Sequence, residues 1–329
     1  MTQQKVIQRF MKSLKETKRK GTEALDEAIK ACSTFNGFGD IKTSMINDCK
    51  KAGGGKFLKT YCGINLDNED TGAITGRDAG GLIVKTKNSI VPKRGSLKNP
   101  PNDNKFTVNG FTIKLTNAPY GKIADNNDFN YIDYSNLPDD AQKYIWKALY
   151  TWWANGALNL ITESYGENFG YYNKDSTTVK EIAFGFVNMD NGNLATTSLW
   201  SSDSWKTVTK LSVTVNMKAY NSLIIGNVNG KMSDSDNFYL DRTLAHEFTH
   251  VVMAANINYY NSLPQFIKEG MAELTHGIDD QRTSLIRNLA GNAEELETWL
   301  APTNTNTGQL KAYVAGYMFF RYLARQAGD

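Results

Sequence analysis

Several features that mark particular protein classes are scarce in this sequence. Its 329 residues contain three cysteines, an odd number without CxxC spacing. That count excludes a disulfide framework and a four-sulfur metal site, although one disulfide remains open. No stretch approaches the roughly 18 consecutive apolar residues of a membrane span. The net charge is only +3 and aromatic residues make up 11% of the chain, which argues against a disordered protein.

The positive charge is concentrated near the amino terminus. Residues 1–63 contain thirteen Lys or Arg and six Asp or Glu, so the remaining residues carry a net charge of −4. Lys18-Arg19-Lys20 belongs to a helix-like stretch, and no groove-reading or base-stacking motif follows it. We therefore interpret the basic residues as a solvated helix face and expect no nucleic-acid partner. Residues 1–20 lack the apolar core of an ordinary secretory signal, which leaves the compartment open.

Hydrophobic periodicity predicts a helical first part, residues 1–80 (the leader). Its apolar spacing predicts one helix over residues 5–33 and another over 40–62 that breaks at Gly53-Gly54-Gly55. The glycine-rich residues 72–81 favour a flexible link. We therefore expect the leader to be a separable segment, either a pro-region or a linker, that is not needed to build the rest.

The second part, residues 81–256, mixes strand and helix patterns, and the third part, residues 257–329, is predicted to be helical. Asn109-Gly110 between two short apolar runs predicts a hairpin. Further predicted elements are a helix over 139–165, strands over 181–187, 194–200 and 207–217, and helices from 240 to 325. The pattern predicts an α+β protein with a mixed sheet lobe and a helical lobe.

The strongest chemical signal is the HExxH motif formed by His246-Glu247-Phe248-Thr249-His250 on a predicted helix. Positions i and i+4 share one helix face about 6 Å apart along the axis, so both imidazoles can bind one zinc ion. Glu247 is rotated by about 100° from His246, which keeps it off the metal but within reach of a water that the metal activates. It can therefore serve as a general base. The alternative is an exposed helix with two incidental histidines.

A catalytic zinc needs a third protein ligand and an open fourth position. The metzincin pattern requires Gly and His where this chain has Met253 and Asn256, so that class is excluded. Downstream, Glu269 and Glu273 lie four residues apart and therefore share a helix face. Eighteen residues separate His250 from Glu269, enough for the first helix to end and the chain to return antiparallel.

This spacing resembles that of the gluzincin metallopeptidases. An HExxH motif followed by eighteen residues and Glu is the arrangement of their aminopeptidase branch and, more loosely, of their thermolysin branch. The resemblance implies a two-lobed zincin fold and one catalytic zinc bound by His246, His250 and Glu269. It also implies that Glu273, one turn beyond Glu269, holds His246 in place from outside the metal's ligand shell.

Residues 140–325 also resemble the metallopeptidase domain found inside some bacterial flagellins. The similar segments are Tyr-Leu-Asp-Arg-Thr at residues 239–243 and Lys-Glu-Gly-Met-Ala-Glu-Leu at residues 268–274. Neither resemblance covers residues 1–80. Together they imply a bacterial hydrolase that acts on protein or peptide substrates outside the cell or at its surface.

A gluzincin also needs a hydrogen-bond donor for the oxyanion of the tetrahedral intermediate. Tyr313-Val314-Ala315-Gly316 resembles the Tyr-x-Lys-Gly segment of the aminopeptidase branch, with Ala315 where the family has Lys. The resemblance therefore implies Tyr313 as the donor, with Tyr317 one turn later as the alternative. Both tyrosines could instead belong to an apolar core stripe.

The gluzincin resemblance implies that the alternating strand 207–217 is the edge strand above the zinc, where it can pair with an extended peptide. Its Asn216 resembles the asparagine with which thermolysin-like enzymes hold the substrate backbone, although a turn-facing Asn is an alternative. The Gly-x-Met-Glu-Asn segment by which the aminopeptidase branch captures a free amino terminus is not recognisable. An endopeptidase is therefore favoured over two alternatives: a zinc aminopeptidase, and a non-catalytic adhesin or binding module with a structural zinc.

Two weaker signals remain. His276 follows a predicted helix closely enough to cap its carboxyl end, which is favoured over a ligand role. Asp and Asn clusters at 67–70, 125–128, 190–193 and 234–236 could bind Ca²⁺, but none has EF-hand spacing and ordinary turns explain them. The sequence leaves the oligomeric state open.

Overall fold

The computed structural model describes most of the chain and confirms the α+β class. The described residues are 2–32, 35–66, 96–116, 130–131, 140–166, 181–190, 192–202, 206–234, 238–302 and 310–328. The glycine-rich segment 72–81 lies outside them, as do the acidic clusters at 67–70 and 125–128. In the described part, no helix combines the length and the apolar content needed to cross a bilayer.

The described residues form two compact units. One, the sheet unit, comprises described residues of Asn88–Thr162 and Asn168–Asn256. The other, the helical unit, comprises described residues of Met1–Lys87, Glu163–Glu167 and Ile257–Asp329. The boundaries predicted from the sequence follow residues 80 and 256, and residue 80 lies outside the described residues.

The sheet unit is built on a mixed sheet. Its strands are β1 (Lys105–Val108), β2 (Phe111–Leu115), β3 (Asn130–Tyr131), β4 (Glu181–Asn188), β5 (Ala195–Ser202) and β6 (Thr207–Asn216). They follow the order β1-β2-β4-β6-β5, and β3 pairs with β4. The β2–β4 and β4–β6 pairs are parallel, whereas β1–β2 and β5–β6 are antiparallel. The predicted hairpin is confirmed, because Asn109 and Gly110 both adopt the positive φ of a primed turn.

The prediction that residues 207–217 form an edge strand is wrong. Strand β6 lies between β4 and β5, so β5 forms this edge of the described sheet. The alternating residues of β6 do not divide into a core face and a solvent face, because Ser212, Thr214 and Asn216 are as buried as the apolar residues between them. Both faces of β6 are covered, and its polar side chains are small enough to pack there.

Two helical stretches complete the sheet unit. Helices α5 (Asp140–Ala148) and α6 (Ala154–Tyr165) are joined without a break by the π-helical turn Leu149–Trp153, and the end of α6, from Glu163 onward, belongs to the helical unit. Their apolar side chains are buried, as expected for the predicted core helix. Helix α7 (Leu240–Asn256) carries the HExxH motif and packs against β5 and β6.

The helical unit combines the leader with the carboxyl-terminal helices. From the leader come α1 (Gln3–Glu16), α2 (Gly21–Cys32), α3 (Phe38–Ala52) and α4 (Gly54–Phe57), followed by the π-helical turn Leu58–Cys62. Later in the chain come α8 (Gln265–His276), α9 (Thr283–Ala290), α10 (Ala293–Trp299) and α11 (Leu310–Gly328). The predicted single helix over 5–33 is wrong, because the chain turns between α1 and α2 at Gly21, whose φ is +50°.

Aromatic packing ties the leader to the later helices of this unit. Phe38 of α3 lies 5.3 Å from Phe266 of α8 and 5.8 Å from Phe319 of α11, measured between ring centroids. Phe10 of α1 packs edge-on against Phe320 of α11 at 5.1 Å. These rings are buried, so the leader supplies part of the core of the helical unit, unlike the separate segment expected from the sequence.

The three cysteines are free and buried. Burial raises the pKa of Cys32 to about 12, even though Arg9 opposes the shift. It raises the pKa of Cys49 to about 11 and that of Cys62 further. These thiols therefore stay protonated at neutral pH, which makes them poor nucleophiles and poor metal ligands.

Candidate metal centre

Helix α7 holds the two histidines of the HExxH motif with their rings converging. The Nε2 atoms of His246 and His250 are 3.1 Å apart, and the ring planes are inclined by 80°. A tetrahedral zinc ion with Zn–N bonds of about 2.0–2.1 Å would hold two nitrogens about 3.3 Å apart. His250 is buried and His246 is half-buried, so the pair combines a fixed position with access from outside. Its geometry suits two ligands of one metal ion.

The amino-terminal end of α7 is anchored by a side-chain network. Asp241 accepts hydrogen bonds from the backbone N–H of Arg242 at 2.7 Å and from Nδ2 of Asn229 at 2.9 Å. Two residues later, the hydroxyl of the buried Tyr220 donates to Thr243 Oγ1 at 2.6 Å. A carboxylate in the first helical turn also interacts favourably with the helix dipole. These contacts fix the helix that positions the motif.

Helix α8 carries the two predicted carboxylates on one buried face. Glu269 and Glu273 are 8% and 2% exposed, which is unusual for charged residues and requires partners. Gln265, one turn before Glu269, donates a hydrogen bond from Nε2 to Glu269 Oε1 at 2.6 Å. Glu273 Oε2 lies 2.8 Å from Nε2 of His276, the last residue of the helix. No sequence motif indicates Gln265. Its amide contacts Oε1 of Glu269, and Oε2 of Glu269 remains for other partners.

The described residues include His and Glu groups with the spacing of a metal site. His246, His250 and Glu269 each offer a ligand atom, and these atoms all lie within 4.8 Å of one another. A second group with the same spacing consists of His246, Glu273 and His276. In the described part of the chain, no other group of three such residues meets this spacing. The structure therefore contains a His and Glu cluster that could bind a metal ion.

The predicted general base has a partner that the sequence analysis did not identify. Thr197 of strand β5 places its Oγ1 2.7 Å from Glu247 Oε2 and 3.1 Å from the backbone carbonyl oxygen of the same residue. Of these two acceptors the carboxylate is the stronger, because it is charged. Glu247 is thus held against the edge strand, one residue away from His246.

Asn216, the residue predicted to hold the substrate backbone, has its side chain engaged by backbone groups of its own unit. Its side chain is buried and accepts hydrogen bonds from the backbone N–H groups of Met189 and Lys218. Its Nδ2 donates to the backbone carbonyls of Met189 at 3.1 Å and Asn193 at 2.7 Å. An amide can donate twice and accept twice, so no capacity is left to hold a substrate backbone. Asn216 instead fixes the connection between β4 and β5, which is the turn-facing alternative.

The two tyrosines of α11 occupy different environments. Tyr317 is fully buried, and its hydroxyl donates to Asp279 Oδ1 at 2.7 Å while it accepts from Arg321 Nη1 at 2.9 Å. Burial raises its pKa well above the ordinary value, although Arg321 opposes the shift. Arg321 also donates to the backbone carbonyl of Gly63 in the leader. The hydroxyl proton of Tyr317 is therefore used in its hydrogen bond to Asp279. Tyr313 is only half-buried, whereas Tyr317 is fully buried.

The weaker metal candidates have local partners. Asp190, in the cluster at 190–193, forms an ion pair with Lys218 at 2.6 Å. Asp234, in the cluster at 234–236, accepts a hydrogen bond from the hydroxyl of Ser222. Both contacts are ordinary surface interactions, and neither carboxylate belongs to a group with the spacing of a metal site.

Comparisons of the chain with protein-family models, with curated proteins and with solved structures gave no match.

Proposed function

We propose that this protein is a zinc-dependent metallopeptidase of the gluzincin type that hydrolyses internal peptide bonds. The observation that carries the proposal is the group His246, His250 and Glu269, with ligand atoms within 4.8 Å of one another. Glu247 follows His246 on the same helix and supplies a carboxylate that a purely structural metal site does not need.

The residues present fit zinc. Two imidazoles and one carboxylate form the donor set of catalytic zinc sites, which keep a fourth position for water or substrate. A structural site is usually closed by four protein ligands, most often including cysteine. The three cysteines are buried, and none belongs to the cluster. The donor set therefore favours a catalytic ion over a structural one.

The reaction assigns a separate task to each residue. When bound, zinc polarises the scissile carbonyl and lowers the pKa of water toward about 7. Glu247 takes a proton from the attacking water and passes it to the leaving amine. Tyr313 donates a hydrogen bond to the oxyanion, a role that the committed hydroxyl of Tyr317 cannot fill. Gln265 orients Glu269, and Glu273 restrains His246.

Strand β5 is the strand with which we expect an extended peptide substrate to pair. It is the edge strand of the described sheet on this side, it runs antiparallel to β6, and it packs against the HExxH helix. Backbone groups of an edge strand can pair with an extended peptide, which lets an enzyme act within a chain. Because no segment for capturing a free amino terminus is recognisable, we favour an endopeptidase over an aminopeptidase.

The two-lobed zincin fold belongs to the same proposal. It is supported by an HExxH helix packed on a mixed sheet whose edge strand is antiparallel, and by a helical unit that carries Glu269. The resemblance to bacterial metallopeptidases further leads us to propose protein substrates met outside the cell or at its surface.

Hydrolysis of an unfolded protein by the zinc-loaded chain tests the proposal. We expect cleavage that a chelator abolishes and that added zinc restores. Glu247→Gln is the matched control, since it is nearly isosteric but cannot accept the proton. A peptide blocked at its amino terminus should be cleaved as well as the unblocked peptide. Cleavage of the unblocked peptide alone would indicate an aminopeptidase, and no cleavage by zinc-loaded protein would refute the proposal.

A further inference from the structure

We propose that Thr197 is a positioning residue for the general base Glu247, a role that rests on the proposed function. The observation is the 2.7 Å contact between Thr197 Oγ1 and Glu247 Oε2, which joins the edge strand to the HExxH helix. Both residues belong to the sheet unit. The contact deepens the account of the site because it determines which carboxylate oxygen acts as the base.

The hydroxyl divides the two carboxylate oxygens between two tasks. Thr197 donates its single proton to Oε2, since an ionised carboxylate can only accept. Oε1 then remains to take the proton of the attacking water. A carboxylate without this contact could rotate about its last torsion, which has a broad and nearly two-fold energy profile. Thr197 thus fixes the orientation of the Glu247 carboxylate before the reaction. Such preorganisation lowers the barrier to catalysis.

The contact is made between two rigid elements. Thr197 pairs with Val213 near the middle of the β5–β6 ladder, and its neighbours pair with Thr214 and Ser212. Threonine is β-branched and has a restricted first side-chain torsion, so a fixed backbone also fixes its hydroxyl. Helix α7 is held in turn by its packing on β5 and β6. The hydrogen bond is therefore set by the fold and does not need substrate to form.

The position of Thr197 links the substrate to the base. A peptide that pairs with β5 would contact the backbone of the same strand whose side chain holds Glu247. The register of β5 on β6 then sets both the position of the peptide along β5 and the orientation of the Glu247 carboxylate. A hydrogen bond that only stabilised the fold would leave the turnover of folded enzyme unchanged.

Steady-state hydrolysis by zinc-loaded variants separates these roles. Thr197→Val removes the hydroxyl at nearly constant volume, and we expect kcat to fall roughly tenfold to a hundredfold while KM and zinc content stay unchanged. Thr197→Ser restores the hydroxyl and should recover most of kcat. Thr214→Val makes the same change on the interior strand β6 and should leave kcat at the wild-type value. A wild-type kcat in Thr197→Val, or an equal loss in Thr197→Ser, would overturn the proposal.

A second measurement does not depend on activity. In a double-mutant cycle of Thr197→Val and Glu247→Ala, measured by equilibrium unfolding of the metal-free protein, the two losses of stability should not add. Additive losses would show that the contact does not form and would overturn the proposal. Failure of the proposed function gives a different result, because zinc-loaded wild-type protein would then hydrolyse nothing. An active wild type with an equally active Thr197→Val refutes the role of Thr197 alone.

Discussion

A methyl group added at Gly316 should separate the helix that carries Glu269 from its neighbour. Helices α8 and α11 touch through two glycines, and a Cβ at Gly316 would lie 1.9 Å from the backbone oxygen of Phe266. A Cβ at Gly270 would lie 2.4 Å from the backbone carbon of Gly316. In both directions the nearest atoms are backbone, so no side-chain rotation can relieve the contact. Gly316→Ala must therefore move α8 away from α11.

The expected cost follows from this distance. Real Cβ contacts below 3.0 Å are essentially absent, so the helices must part by about 1 Å. Overpacking of this kind costs about 1–3 kcal/mol and sometimes more. The gain in helix propensity from Gly to Ala, about 1 kcal/mol, offsets only part of that. Because Phe266 lies less than one turn from Glu269, the displacement should also weaken zinc binding.

Gly39 offers a matched control. It lies in helix α3, and a Cβ there would meet nothing within 4 Å. Gly39→Ala should therefore stabilise the protein by about 0.4–1 kcal/mol. Both substitutions gain the same helix propensity, so denaturant unfolding of the metal-free variants should separate the two by the overpacking cost, about 1–3 kcal/mol. If Gly316→Ala were as stable as Gly39→Ala and bound zinc as tightly as the wild type, the close crossing of α8 and α11 would be refuted.

Four further substitutions test individual residues. Glu247→Gln should keep its zinc but lose nearly all peptide hydrolysis, whereas an equal loss of zinc by elemental analysis would make Glu247 structural. Gln265→Leu removes the donor to Glu269 and should raise the zinc dissociation constant about 10–100-fold in a chelator competition; an unchanged constant would contradict its role. Tyr313→Phe should lower kcat by roughly 10²–10³ with little change in KM. Tyr317→Phe should keep kcat but lose about 1–3 kcal/mol of unfolding free energy, because two charged groups lose a shared partner. The opposite pattern would move the oxyanion role to Tyr317.

The parts of the site that depend on local geometry were predictable from the sequence. The spacing of His246 and His250 fixes their shared helix face whatever surrounds it. The spacing of Glu269 and Glu273 does the same on α8. The structure adds the closeness of His246, His250 and Glu269 to one another, which no local rule determines. Such closeness was implied only by the resemblance to gluzincins.

Strand order could not be predicted from the same kind of pattern. Alternation in residues 207–217 is typical of a half-exposed strand. In the structure, β6 has neighbours on both sides, and the polar residues of the alternation are buried with the apolar ones. Small hydroxyl side chains can line a covered face, so the period-two pattern does not by itself identify an exposed face. The edge position was implied only by the resemblance to gluzincins.

No sequence motif indicates the hydrogen bonds that Thr197 and Gln265 make to the site. Thr197 and Gln265 act through one hydroxyl and one amide, each placed by the packing of its own element. Neither residue belongs to a motif, and Thr197 lies fifty residues from its partner. The leader is a related case. Its basic composition and its cysteines suggested a separate segment, but the aromatic contacts that bind it to α8 and α11 are long-range.

Zinc content tests the central claim most directly. Elemental analysis of purified protein should give about one zinc per chain in the wild type and in Glu247→Gln. His246→Ala, His250→Ala and Glu269→Ala should each lose most of that zinc, because each removes one of the three proposed ligands. Full zinc occupancy in His246→Ala or in Glu269→Ala would contradict the assignment of the metal centre.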